Sequence, residues 1–244
     1  MSGAQVRAVT LGAPLERAAV IGDIHGHADA LAALLAEIPA SRPVFVLGDL
    51  VDRGPESARV IDLLIARGVR GVCGNHELWL RRWMRGEAVD IDVLDPDFGA
   101  AATLASYGFP TDTRVFLTPP DARLPDAHRA FLLGLPHALA LEVAGVPYWL
   151  VHAGLPPVRA DAPDTLEEWL AHRADAMLWG NARLDARPKA PATVLMGHLP
   201  QQRVVDLGHL VALDTGAATL HGGRLTALLL PERRCVHVEA PRPF

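Results

Sequence analysis

The chain has 244 residues, 50% of them hydrophobic and 21% charged, enough for one large α/β domain or two small ones. A formal net charge of −5 argues against nucleic acid or an acidic membrane as a partner. Two cysteines, Cys73 and Cys235, cannot build a disulfide framework, so a reducing cytoplasm is the expected location. The start, "MSGAQVRAVTLGAPLERA", has no signal-peptide stretch. The longest apolar region, "LLGLPHALALEVAGVPYWLV", is interrupted by two prolines, a histidine and a glutamate, and reads as two strands around Ala144-Gly145.

Residues 1–17 carry no strong pattern and read as an extended arm ahead of a single domain over 18–244. A regular alternation follows. "AAVIGDIHG" is a strand running into a glycine turn, and "ADALAALLAEI" is a helix. "PVFVLGD" is the second strand, and "PESARVIDLLIAR" is a helix with Pro55 suited to its first turn. "VRGVCGNHE" is the third strand, leading into a helix from "HELWLRRWM". Strands alternating with helices imply a parallel sheet. Residues 86–125 lose the pattern, apart from a short helix at "ATLASYG", and read as a cap or insertion beside a site. From Phe131 the chain is strand-rich: "ALALEV", "PYWLVHAG", "ATVLMGH", "LVALDTG", "LTALLL" and "CVHVEA", with one helix at "TLEEWLAHRADAML". These strands point to a second, mixed sheet packed on the first.

Three strand ends carry polar clusters: "GDIHG", "GDLVDRG" and "GNHE". Asp23 and Asp49 are 26 residues apart, as are Asp49 and Asn75, so each interval is one strand-helix unit. All three therefore emerge at equivalent ends of successive parallel strands, the edge where α/β proteins bind ligands. Two later strands end in His152 and His198. Carboxylates, an amide oxygen and imidazoles form a metal-ligand set. There are too many for one open site, so two metals sharing a carboxylate is the economical reading, with Asp49 placed to bridge. Asp52 and Arg53, just beyond it, can support the ligands and meet substrate.

The series "GDIHG…GDLVDRG…GNHE…HAG…GH" resembles the calcineurin-like metallophosphoesterases, and more narrowly the phosphoprotein-phosphatase family. That family includes bacterial serine/threonine phosphatases and symmetrical diadenosine tetraphosphate hydrolases. The resemblance spans residues 19 to about 230. It implies an αββα fold, a two-sheet sandwich flanked by helices. It also implies Asp23 and His25 on one metal, Asn75, His152 and His198 on the other, and Asp49 between them. A hydroxide shared by the ions would attack phosphorus. His76 would be the general acid, oriented by Asp52, and Arg53 would hold phosphate oxygens. A second phosphate-binding arginine follows an "LW" segment in the family, here Arg183, with Arg187 as the alternative in "MLWGNARLDARP". Two departures stand out: Leu199 where threonine is common, and "DPDFGA" ahead of "ATLASYG".

Oxygen and nitrogen ligands without thiolate make Mn²⁺ the first expectation, with Fe or Zn²⁺ as alternatives. The acidic run at Asp90, Asp92, Asp95 and Asp97 lacks the glycine and glutamate of a calcium loop and reads as solvated. Arg81, Arg82 and Arg85 read as an exposed helix face, and His27, His128, His137 and His172 as surface or helix-end residues. The leading functional expectation is a serine/threonine protein phosphatase acting on phosphopeptides or small phosphoesters, because the cap is acidic. A dinucleoside polyphosphate hydrolase is the alternative, and a catalytically silent binding module a third reading.

Overall fold

The computed structural model describes residues 7–120, 123–156, 163–180, 184 and 190–240. The expected alternation is present. Strand β2 (Ala18–Ile21) leads to α1 (Ala28–Glu37), β3 (Val44–Val46) to α2 (Ser57–Ala66), and the two-residue β4 (Arg70–Gly71) to α3 (Asn75–Met84). β2, β3 and β4 pair in parallel, in that order. In α1 the apolar positions Ala28, Leu31 and Leu34 recur at intervals of three and bury one stripe; in α2 Val60 and Leu64, four apart, bury another together with Ile61.

Residues 8–10, within the stretch read as an extended arm, pair in parallel with β5 (Ala138–Val143) and form β1 (Ala8–Thr10). β5 and β6 (Val146–Val151) make the expected hairpin around Ala144-Gly145, both residues having positive φ. After α6 (Leu166–Trp179) come β7 (Thr193–Met196), β8 (Val205–Asp206) and β9 (Leu210–Ala212). Thr165 caps α6 with a reciprocal pair: Glu168 N–H donates to its hydroxyl at 3.2 Å, and its own N–H donates to the Glu168 carboxylate at 3.3 Å. Among the described residues these strands form one sheet in the order β1-β5-β6-β7-β9-β8.

The last two strands, β10 (Arg224–Leu230) and β11 (Arg234–Glu239), do not join this second sheet as expected. β10 lies antiparallel along β2, completing a first sheet of order β11-β10-β2-β3-β4. The burial pattern explains the placement: six of the seven β10 residues are buried, as suits an interior strand covered on both faces, whereas β11 alternates as an edge does. The chain also holds a helix that sequence periodicity missed, α5 (Asp126–Gly134), which buries His128 and Leu132.

The period-two alternation of the strands builds four layers. Val20, Phe45, Leu47 and Leu228 face Leu139, Leu141, Leu150, Leu195 and Val211 across the sandwich. On the outer face of the first sheet, Ile21, Val46, Ala227 and Leu229 meet the helices at Leu31, Leu34, Ile61 and Leu64. On the outer face of the second, Trp149, Val151 and Val194 meet Leu166, Trp169, Leu170 and Met177 of α6. Each fully buried aliphatic side chain contributes about 1.5–3 kcal/mol. The cap, with short helical turns at Ile91–Leu94 and Thr113–Leu117 and α4 (Ala100–Ser106) between them, inserts Val93, Leu104, Phe109 and Val115 into the helix-side core.

His137 is buried, contrary to expectation. Its Nδ1 accepts the Arg7 N–H at 3.2 Å, and its own N–H donates to the Arg7 carbonyl at 2.8 Å, tying β1 to β5. Burial, aided by Arg81, Arg85 and Arg7, pushes its pKa from 6.5 down to about 4. The unfolded chain therefore takes up this proton first, and stability falls as pH drops from about 6.5 towards 4, by up to about 3 kcal/mol. His137→Gln, whose amide oxygen still accepts from Arg7, should lose correspondingly less stability than wild type between pH 7 and 4.5. Urea melts at both pH values measure the difference, and equal losses would refute this account.

Candidate active site

Strands of both sheets deliver polar groups to one edge. Asp23 and His25 follow β2; Asp49, Asp52 and Arg53 follow β3; Asn75 and His76 open α3 after β4. His152 follows β6 and His198 follows β7. The turns are tight and conformationally costly. Seven non-glycine residues have positive φ among the described residues, and five of them are His25, Asp49, Asp52, Arg53 and His198. Such conformations cost on the order of 1–3 kcal/mol each and persist only where the surroundings enforce them.

The enforcing group is one that sequence reasoning passed over. The fully buried Glu77 carboxylate accepts N–H groups from Gly74 at 2.7 Å, Asp49 at 3.0 Å and Leu50 at 2.7 Å. It thus caps α3 and pins the Asp49 turn at once. Its place three residues beyond Gly74 is a capping-box position, a legible signal. Burial and the Asp49 charge push its pKa up, while these backbone donors oppose the shift. Gly74 and Gly197 let the proposed ligands approach closely: a Cβ on Gly74 would overlap Asp49 Oδ1, and one on Gly197 would overlap Asp23 Oδ1.

Asp49 lies at the centre. His25 Nε2 is 3.5 Å from its Oδ2, and His152 Nε2 is 3.3 Å from its Oδ1. In both histidines Nδ1–H donates to a backbone carbonyl, Val51 at 2.9 Å and Leu47 at 2.8 Å. The carbonyls fix the tautomer and leave Nε2 turned towards Asp49. Asn75 Oδ1 is 2.9 Å from His152 Nε2, and His198 Nδ1 is 3.2 Å from the same atom. Asp23 accepts the His198 N–H at 3.0 Å. Burial favours the neutral form of Asp49, but His152, His76 and His25 together outweigh it and hold the pKa well below the usual carboxylate range. Asp23 shifts the other way: burial, then Asp214, then Asp49 push it up. Asp214, in "LDTG", is a further buried carboxylate at this edge; it accepts the Gly216 N–H at 2.8 Å, and burial raises its pKa to about 6. It carries the same strand-end signal as Asp23 and Asp49.

Beside this centre His76 Nδ1–H donates to Asp52 Oδ2 at 2.8 Å. Asp52 is fully buried, and its remaining capacity is taken by Trp79 Nε1–H at 2.9 Å and the Thr103 hydroxyl at 2.6 Å. Thr103 belongs to α4, so the cap reaches the pair directly. Phe98 stacks on the His76 ring, with centroids 4.3 Å apart. Arg53 Nη1 donates to His25 Nε2 at 2.7 Å, and Arg53 Nε to the Asp97 carbonyl at 3.4 Å. An open cleft of about 410 Å³ beside these groups is lined by Arg53, Asn75, His76, Phe98, Trp179 and His198, together with Asp95 and Asp97 of the cap.

The pattern of the calcineurin-like phosphoesterases matches residues 16–235. The chain belongs to that family. This phosphoesterase is 27% identical over 249 residues to the asymmetrical bis(5'-nucleosyl)-tetraphosphatase PrpE of Geobacillus thermodenitrificans, covering 92% of this chain and 94% of the relative. A symmetrical bis(5'-nucleosyl)-tetraphosphatase of an Acidovorax species is 43% identical, but over 89 residues, 32% of each chain. Among solved structures, one described as "a putative diadenosine tetraphosphatase" superposes with a TM-score of 0.64 at 20% identity, covering 97% of this chain and 99% of the other. The fold is thus the expected αββα sandwich, and the phosphoesterase is a metal-dependent hydrolase of phosphoric ester bonds.

The donor set fits the family's two metals. Among the described residues, two groups offer ligand atoms within 4.8 Å of one another: His25, Asp49 and His76, and Asp49, His152 and His198. They share Asp49, and the crowding of Asp23, Asp49 and Asp214 favours cations at this edge. His76 also falls within reach of the first group, and the Asp23 carboxylate, outside both groups, accepts the His198 N–H. Arg183 and Arg187 lie outside the described residues. Arg81 is not on an exposed face: it is buried and donates to the carbonyls of Leu135 at 3.1 Å and Leu133 at 3.4 Å. His27 and His128 are buried too, the latter held between the Tyr107 hydroxyl and Asp62. Among the described residues no helix is long and apolar enough to cross a membrane.

Proposed function

We propose that this phosphoesterase hydrolyses dinucleoside polyphosphates at the site centred on Asp49. The observation that carries the phosphoryl chemistry is the shared carboxylate, with histidines on both sides and the Asp52–His76 pair beside it. The substrate class rests on the tetraphosphatase relatives that match over nine-tenths of both chains. The sequence reading put phosphopeptides first because the cap is acidic, and the structure weakens that reason. Arg81, Arg82 and Arg85 line the cavity under the cap, so its wall is of mixed charge. The former alternative is therefore the better-supported reading.

On this reading Asp23, His25 and Asp49 hold one divalent ion, and Asn75, His152 and His198 the other with Asp49. Mn²⁺ is our expectation for both, from a donor set of oxygen and nitrogen alone. Ions bound there supply Lewis-acid polarisation of phosphoryl oxygens and of water. The chain's own residues do the rest. The Arg53 guanidinium meets the non-bridging phosphoryl oxygens and aligns the scissile bond. Asp52 holds His76 through Nδ1–H, which leaves Nε2 as the atom that delivers a proton to the leaving group. As the phosphorus–oxygen bond breaks, Nε2–H passes that proton to the departing oxygen. Trp79 and Thr103 saturate Asp52 and keep it from turning away.

With Mn²⁺ added, kcat/KM for diadenosine tetraphosphate should exceed that for phosphoserine and phosphothreonine peptides by more than tenfold. A reversed ranking would return the function to protein dephosphorylation. The products also distinguish the cleavage mode: AMP with ATP for asymmetrical cleavage, as the PrpE relatives are named, or two ADP for symmetrical.

A further inference from the structure

A second cavity, of about 470 Å³, opens beside the metal centre and shares Asn75, Phe98 and Trp179 with the cleft above it. We infer that it holds a nucleoside of the substrate, with the base against Trp179, while the phosphates lie over Asp49. The inference rests on the dinucleotide reading and adds which part of the molecule binds where.

Three observations carry it. The walls are largely apolar and aromatic: Leu78, Trp79, Val89, Val93, Phe98 and Trp179. The Trp179 ring is 49% exposed although it sits at the junction of two cavities, and its centroid lies 6.5 Å from that of Phe98. An exposed tryptophan face beside a phosphate-handling site is a stacking platform that accepts any base.

The charges in this cavity are the third observation, and they decide which part of the substrate enters. Arg81 is committed to two backbone carbonyls, and Arg82 lies 3.7 Å from Glu87. Against Arg85 stand Asp90, Asp92 and Asp175. A polyphosphate would meet no surplus of positive charge here. The adjoining cleft sets Arg53 beside Asp95 and Asp97, so the proposed metal centre, rather than the charge of its wall, is what draws the phosphates there. A neutral base and ribose suit the mixture: apolar faces stack, and carboxylates accept from ribose hydroxyls or an exocyclic amine. The volume lies within the usual range for a small-ligand pocket.

The test compares diadenosine tetraphosphate with 4-nitrophenyl phosphate, which has no nucleoside, in the Mn²⁺-loaded enzyme. Trp179→Ala should lower the ratio of their kcat/KM values by about tenfold to a hundredfold, mainly through KM for the dinucleotide. Trp179→Phe should restore most of the ratio. Val89→Trp, which adds bulk to the cavity lining, should lower the ratio as Trp179→Ala does. Turnover of 4-nitrophenyl phosphate reports that each variant is folded. An unchanged ratio in both Trp179→Ala and Val89→Trp, with the dinucleotide still cleaved, overturns the cavity assignment and leaves the proposed function standing. If wild type fails to cleave the dinucleotide, the functional reading falls and takes this inference with it. A loss confined to phosphopeptides would reassign the cavity to a peptide side chain and overturn the inference as well.

Discussion

Asp49→Asn is expected to reduce bound metal from two ions per chain to one or none and to lower kcat/KM by at least about 10²-fold. Altering a group one layer outside a metal's ligands already costs roughly 10–100-fold in affinity or activity, and Asp49 is proposed as a ligand to both ions. The substitution is chosen so that the backbone survives. Asp49 has φ of +49°, a conformation asparagine adopts more readily than most residues. The amide oxygen can still accept the His76 N–H that Asp49 Oδ1 accepts at 3.1 Å, and Glu77 still holds the residue 49 N–H. What is lost is the negative charge between His25 and His152. Metal content by elemental analysis and activity after chelation and Mn²⁺ reconstitution report the outcome. Two retained ions with near-normal turnover would refute the shared-carboxylate assignment.

Much of this centre is readable in the sequence because it depends on local periodicity. One β-strand and one helix occupy about as many residues in each of the first three units. A strand-end ligand therefore recurs at a fixed interval, and Asp23, Asp49 and Asn75 fall on it. His152 and His198 follow from the same rule applied to the later strands, and Asp214 obeys it too. The strand partner of β10 is not readable in this way. Pairing across some two hundred residues depends on which sheet has an open edge, and "LTALLL" says only that both of its faces are covered.

Contacts made when the cap folds back are illegible for a similar reason. Thr103 reaches Asp52 from 51 residues away, and Phe98 reaches His76 from another turn of the cap. Nothing local to "DPDFGAAATLAS" marks either residue as a neighbour of the dyad. The buried fates of Arg81, His128 and His137 were missed because each polar side chain is satisfied by a partner distant in sequence. Composition places such residues at the surface, and a distant partner offsets the cost of burying them.

His76→Gln should leave metal content unchanged and lower turnover by an amount that depends on the leaving group. For a phosphoserine peptide the departing alkoxide is a strong base and needs the proton that Nε2–H provides, so the loss should be about 10²–10⁴-fold. For diadenosine tetraphosphate the departing group is a phosphate chain, stable as an anion near neutral pH, and the loss should be much smaller. The contrast separates two roles that the geometry leaves adjacent. His76 lies within ligand reach of the group containing His25 and Asp49, yet its Nε2 stands 3.9 Å from Asp49 Oδ2 while Nδ1 is bonded to Asp52. A ligand's removal would cost metal and would penalise every substrate alike. An acid's removal penalises poor leaving groups selectively. Thr103→Val, which removes the hydroxyl that donates to Asp52 Oδ1 and accepts the Asp52 N–H, should show the same selectivity at a fraction of the size, and Thr103→Ser should restore it. Loss of a metal ion from His76→Gln, or equal losses on ester and anhydride, would make His76 a ligand and leave the proton to another group.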